Sequence, residues 1–133
     1  MKFKEFKKHH ESGYLECHYY EDENGFKCGE QRLYRSDGSL WVHSLARDGI
    51  SFGEQMSFGN DGEILERYLH FNCKTMAKVI SCGNPATHSE EELIEIAKEH
   101  NLPLLSELPK TEAELTHWNL KYPDLPLLPI SPE

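Results

Sequence analysis

No stretch of this sequence approaches the ~20 consecutive apolar residues that a membrane-spanning helix needs. The lysine-rich start, Met1 to Lys8, has no apolar run behind it and is not read as a secretory signal. Cations are scarce: 14 Lys and Arg face 23 Asp and Glu, for a formal charge of −9. An acidic surface repels phosphates, which weighs against direct nucleic-acid binding. The four cysteines, Cys17, Cys28, Cys73 and Cys82, form no C-x-x-C pair, so zinc-ribbon and thioredoxin-like signatures are missing. Missing too are a G-x-x-x-x-G-K-[ST] phosphate loop, a G-x-G-x-x-G turn and an H-E-x-x-H helix. What remains is the expectation of one cytoplasmic domain of 133 residues with no cofactor.

What charge there is lies unevenly. Residues 1–8 carry four Lys against Glu5 and read as a solvated tail, contact with an anionic partner being the alternative. Residues 89–133 carry 3 basic and 10 acidic side chains, which makes the C-terminal third the most acidic part. Without an export signal, the cysteines read as free thiols packed like small apolar residues.

The chain repeats itself. Gly29-Glu30-Gln31 returns as Gly53-Glu54-Gln55, an offset of 24. At the same offset Tyr34 matches Phe58, Asp37-Gly38 matches Asp61-Gly62, Leu40 matches Ile64 and Leu45 matches Leu69. An earlier copy, around Ser12-Gly13-Tyr14-Leu15 and Asn24-Gly25-Phe26, fits with one residue of slippage. The copies fall near 13–28, 29–52 and 53–74, inside a repeat region of 1–88.

Asn-Gly and Asp-Gly at 24–25, 37–38, 48–49 and 61–62 are the strongest short-range hairpin signals, since a type I′ turn needs positive φ at both central residues. The Tyr-, Phe-, Trp-, Leu- and Val-rich runs between them predict strands near 14–20, 28–35, 40–47, 52–58, 64–71 and 76–80. Alternation puts Leu15, Cys17, Tyr19, Leu40, Val42, Ile64 and Tyr68 on one face of the sheet. His18, Tyr20, Trp41, His43, Leu45, Leu65, Arg67 and Leu69 fall on the other. Both faces are half apolar, so a further element is expected to cover part of one.

Residues 89–133 can supply that cover as part of the same domain. Ser89 with Glu92, and Thr111 with Glu114, spell capping boxes that open two helices. Leu93, Ile96, Ala97 and His100 line one side of the first; Leu115, Trp118 and Tyr122 line the second. Six of the seven prolines lie beyond residue 102, so the segment from Pro123 to Pro132 is expected to be extended. Its Leu and Ile content favours an apolar strap along the body over a ligand for another protein. The predicted fold is thus mostly β with α at the C-terminus: an antiparallel hairpin-repeat sheet packed by one or two helices and a Pro-rich tail.

Chemistry is thinly marked. Gly49-Ile50-Ser51-Phe52-Gly53 matches G-x-S-x-G, but it follows an Asp-Gly turn and leads into a strand, not a helix. The matching segment of the preceding copy is Gly25-Phe26-Lys27-Cys28-Gly29, so the glycines belong to the repeat and Ser51 does not. No catalytic residue is assigned. His18, His43 and Arg67 hold equivalent positions in three copies, with Tyr20 and Trp41 nearby. That column is either a surface for a protein partner or simply the polar part of a half-exposed sheet face.

The pattern Gly-Glu-x-x-x-Tyr/Phe-x-x-Asp-Gly-x-Leu/Ile resembles the MORN-type repeat, closest to the bacterial YwqK-like antitoxin family. Gly29, Glu30, Tyr34, Asp37, Gly38 and Leu40 carry it, repeated as Gly53, Glu54, Phe58, Asp61, Gly62 and Ile64. The helical, proline-rich C-terminal third departs from the usual form of that family. The resemblance implies a β-scaffold without catalytic residues, often an antitoxin or immunity protein that neutralises a toxin or other effector by binding it. A metal-dependent enzyme built on Cys17, His18, Cys28 and His43 is the alternative. A self-assembling repeat protein, joined through its edge strands, is another.

Overall fold

The structure is a computed structural model that describes residues 2–71, 74–81 and 86–129. Eight strands run in chain order: β1 (Lys4–His9), β2 (Leu15–Glu21), β3 (Lys27–Tyr34), β4 (Leu40–Arg47), β5 (Ile50–Ser51), β6 (Gly53–Phe58), β7 (Ile64–Phe71) and β8 (Lys74–Ser81). They form one antiparallel sheet ordered β1-β2-β3-β4-β6-β7-β8, with β5 a short extra partner of β4. Helices α1 (Glu90–Glu99) and α2 (Glu112–Lys121) follow, separated by a 3-10 turn at Leu105–Glu107. The expected hairpin sheet with C-terminal helices is the observed architecture. None of these helices is long and apolar enough to cross a membrane.

The lysine-rich start is where expectation and structure part. It is not a solvated tail but the edge strand β1, paired with β2 from Lys4↔Glu21 to His9↔Leu15. Three hairpins are then equivalent, β1–β2, β3–β4 and β6–β7. Each slips register at one place, Lys8/His9, Leu33/Tyr34 and Ser57/Phe58.

Turn chemistry explains the slip. In the three hairpin turns, Gly13, Gly38 and Gly62 alone take positive φ, and their N–H groups donate to the carbonyls of His10, Arg35 and Gly59. That is a type I turn closed by a left-handed glycine, which inserts one residue as a bulge. Gly25 closes the β2–β3 turn in the same way, donating to Asp22. Only Asp48-Gly49, at φ 53° and 79°, has both residues at positive φ as a type I′ turn requires. The dipeptides mark the turns correctly; the turn class differs because the loops are one residue longer.

Ser89 caps α1 with the full box: its Oγ accepts from Glu92 N at 3.2 Å, and the Glu92 carboxylate accepts from Ser89 N at 3.0 Å. The second box is half formed. Thr111 Oγ1 accepts from Glu114 N, but the Glu114 carboxylate accepts from Lys110 N instead. At the other end of α1, Asn101 adopts φ 54°, and Leu102 N donates to Ala97 O at 2.8 Å. This Schellman ending turns the chain back onto the sheet.

The core lies between one sheet face and the helices. Leu45, Leu69, Leu93 and Leu125 are fully buried, each worth roughly 1.5–3 kcal/mol on transfer from water. Phe52, Ala77, Ala97, Leu102, Leu104, Trp118 and Tyr122 pack with Leu69, Leu93 and Leu125 in one cluster. Trp118 Nε1 donates to Leu125 O at 3.0 Å, so the indole is hydrogen-bonded as well as buried.

Candidate functional site

The repeated Gly-Glu dipeptide opens β6 and sits within β3, and at both places the C-terminal segment lands on it. Glu54 N donates to Pro103 O at 3.0 Å, and Leu105 N donates back to Glu54 Oε1 at 2.7 Å. Glu30 N donates to Pro126 O at 2.8 Å, and Leu128 N donates to Glu30 Oε1 at 3.0 Å. The two visiting segments are identical, Leu102-Pro103-Leu104-Leu105 and Leu125-Pro126-Leu127-Leu128. Each follows one helix and is held by a backbone N–H and a carboxylate of the same glutamate.

Glycine makes the approach close enough. A Cβ on Gly29 would stand 2.0 Å from Pro126 O, and one on Gly53 would stand 2.7 Å from Pro103 O. Both glycines have φ +78°, a conformation side chains rarely adopt. The extended strap expected of the proline-rich segment is therefore present, and a second one precedes α2. Residues 130–133 of that segment lie outside the described residues.

The second carboxylate oxygen of each glutamate meets a base from the neighbouring strand. Glu30 Oε2 is 2.7 Å from His43 Nε2 and accepts from Arg32 Nη2 at 2.9 Å. Glu54 Oε2 accepts from Arg67 Nε, while Arg67 Nη1 donates to Glu90 Oε1 at the start of α1. Glu5 Oε2 lies 2.7 Å from His18 Nε2. In every copy the base follows its acid by thirteen residues.

Burial penalises the charged Glu30 carboxyl, but the His43 hydrogen bond and the Arg32 charge outweigh it and hold its pKa below the usual value. Glu5 is held low mainly by its bond to His18. Burial, aided by the nearby Asp22 and Asp124 charges, pushes the Cys28 thiol up to about 11.

The column anticipated from the repeat exists. His18, His43 and Arg67 share one row across the sheet, with Arg32 and Met56 on the strands between them. His18 and Arg67 are buried and His43 is half-buried, all three turned to their glutamates. Tyr20 is half-buried beside Glu5, and only Trp41 of the five is exposed. Cys17 and His18, adjacent on β2, point to opposite faces, which divides the Cys17–His18–Cys28–His43 set. Ser51 lies in the two-residue β5 behind a type I′ turn, without the helix that a nucleophile elbow needs.

Between the two straps runs a groove of about 480 Å³, with Glu30, Arg32 and His43 on its floor and Leu105, Leu115 and Leu128 in its walls. The opposite sheet face carries Phe6, Tyr19, Leu33, Val42, Tyr68 and His70, all half-buried and, among the described residues, covered by no helix or strap. Phe6 stacks on Tyr19 at 5.3 Å, and Lys27 sits over the Tyr19 ring.

Reading the sequence for the bases alone misses the acids. Glu5, Glu30 and Glu54 recur at offsets of 25 and 24, as His18, His43 and Arg67 do, and that shared offset is the signal that finds them. The doubled Leu-Pro-Leu-Leu is a second such signal. No family model, curated protein or solved structure matches the chain.

Proposed function

We propose that this protein is a non-catalytic binding module of the antitoxin or immunity type, which neutralises a partner protein by occupying it. One observation carries the reading: among the described residues, both helices and both straps lie on one face of the sheet, and the other face carries half-buried aromatic and polar side chains. Tyrosines beside polar groups are enriched in interface cores. The formal charge of −9 adds electrostatic complementarity to a basic cleft, such as that of a toxin acting on nucleic acid. The resemblance of the repeats to MORN-type antitoxins points the same way.

The test is capture of the tagged protein's partner from its native host's lysate, followed by reconstitution from the two purified chains. A complex near one-to-one, weakened at least tenfold by the pair Tyr19→Ala and Tyr68→Ala, is the expected result. Turnover of a small molecule with no protein retained would overturn the reading.

A further inference from the structure

Two of the three repeat copies have their glutamate clamped onto a Leu-Pro-Leu-Leu segment; the third does not. Glu5 matches Glu30 and Glu54 in position and in its pairing with a base thirteen residues on. Its register partner Tyr20 stands where Leu45 and Leu69 stand beneath the other two clamps. An aromatic floor is therefore already in place. Glu5 Oε2 is occupied by His18, whereas Oε1 makes no hydrogen bond among the described residues, and the side chain is 40% exposed.

β1 is the outer strand of the sheet, with no neighbour beyond it among the described residues. The N–H of Glu30 and of Glu54 turns away from its hairpin partner to reach a strap carbonyl. By the equivalence of the hairpins, that of Glu5 turns off the free edge. Lys4 replaces the glycine, but its φ lies outside the left-handed region. Its Cβ does not take the direction in which a Cβ on Gly29 would strike Pro126.

We propose that Glu5 is a vacant third clamp, and that its ligand is an extended Leu-Pro-Leu-Leu-type segment of a partner protein. The carbonyl of the ligand's proline accepts from Glu5 N–H, and the amide two residues on donates to Glu5 Oε1. The occupied copies define this occupant. Lys7, on the same face of β1 as Glu5, favours a segment with acidic flanks, as Asp124 and Glu107 flank the internal straps. The inference deepens the binding reading and rests on it.

The test uses the whole protein and a fluorescein-labelled peptide copying residues 101–108. Saturable binding in the sub-millimolar range is expected, at least tenfold weaker for Glu5→Ala. A peptide N-methylated at the second leucine of its Leu-Leu pair should lose as much, and this arm needs no change to the protein. The backbone amide signal of Glu5 should shift on titration.

Absence of saturable binding at millimolar peptide overturns the proposal, as does binding that Glu5→Ala and N-methylation leave unchanged. Loss of exchange protection at Leu105 would show that the peptide only displaces a resident strap, and so overturns it too. Glu5-dependent dimers in light scattering would assign the clamp to a second copy instead of a partner. A reconstituted partner complex that ignores Glu5→Ala removes the clamp and leaves the binding reading standing.

Discussion

Glu54 and Pro103 meet through their backbones: the Glu54 N–H donates to the Pro103 carbonyl at 3.0 Å, over a glycine that has no Cβ to hold them apart. Gly53→Ala should therefore cost more than the price of its φ. Gly62 has φ +87° with open space around it, so Gly62→Ala measures the conformational penalty alone, about 1–2 kcal/mol. Gly53→Ala, whose Cβ would stand 2.7 Å from Pro103 O, should lose at least ~2 kcal/mol beyond that as the strap is forced off. Urea unfolding of both variants checks the difference; equal losses would mean that the strap gives way without cost.

The Glu54–Arg67 pair is enclosed, the carboxylate completely so. Glu54→Gln keeps an acceptor for Leu105 N–H but leaves the guanidinium short of a charge, and breaking one side of a buried pair costs about 3–5 kcal/mol. Adding Arg67→Met should restore part of that loss, because the unpaired charge goes with it. A double variant as unstable as the sum of its parts would show that the two side chains act independently.

Glu30 sets a pH dependence whose sign can be worked out. Its folded pKa lies below the ordinary 4.5, through the His43 bond and the Arg32 charge acting against burial. Its contribution is complete above the unfolded-state pKa and is lost as pH falls through the lower folded value. Wild type should thus exceed Glu30→Gln in stability at neutral pH, with the gap closing below about pH 4. Urea titrations at several pH values test this, and a gap independent of pH would contradict it.

How far the sequence announces all this depends on the kind of interaction. The hairpins are legible because Asp37-Gly38 and Asp61-Gly62 are local signals, and a left-handed glycine needs no distant partner. The helices are legible from Ser89 and Thr111 for the same reason. β1 is hidden because Lys4-Glu5-Phe6 replaces the Gly-Glu-Gln signature, and its pairing with β2 is non-local. The base column is legible by its offset, yet its orientation toward Glu5, Glu30 and Glu54 depends on which face the helices cover. Alternation names the two faces without choosing between them.

The two straps should loosen separately. Trp118 Nε1 holds the carbonyl of Leu125, inside the second strap only. Trp118→Phe keeps most of the ring packing and removes that donor, at a cost of about 1–2 kcal/mol. Hydrogen exchange should speed up at Leu128 while Leu105, bonded to Glu54, stays protected. Equal acceleration at both amides would make the straps one cooperative unit.

The lysines of β1 have their own consequence. An outer strand presents unpaired N–H and C=O groups to any other strand, and charged side chains on such an edge discourage pairing. Lys4, Lys7 and Lys8 are all exposed there. Two copies meeting edge to edge would bring these cations together, a like-charge cost that salt screens only in part. Replacing all three with Thr removes the repulsion and raises β propensity, so light scattering should report a concentration-dependent dimer where the wild type stays monomeric. A wild type already dimeric at low salt would show that the lysines do not guard the edge. The free strand would then be the seam of an assembly, and Glu5 would lie within it.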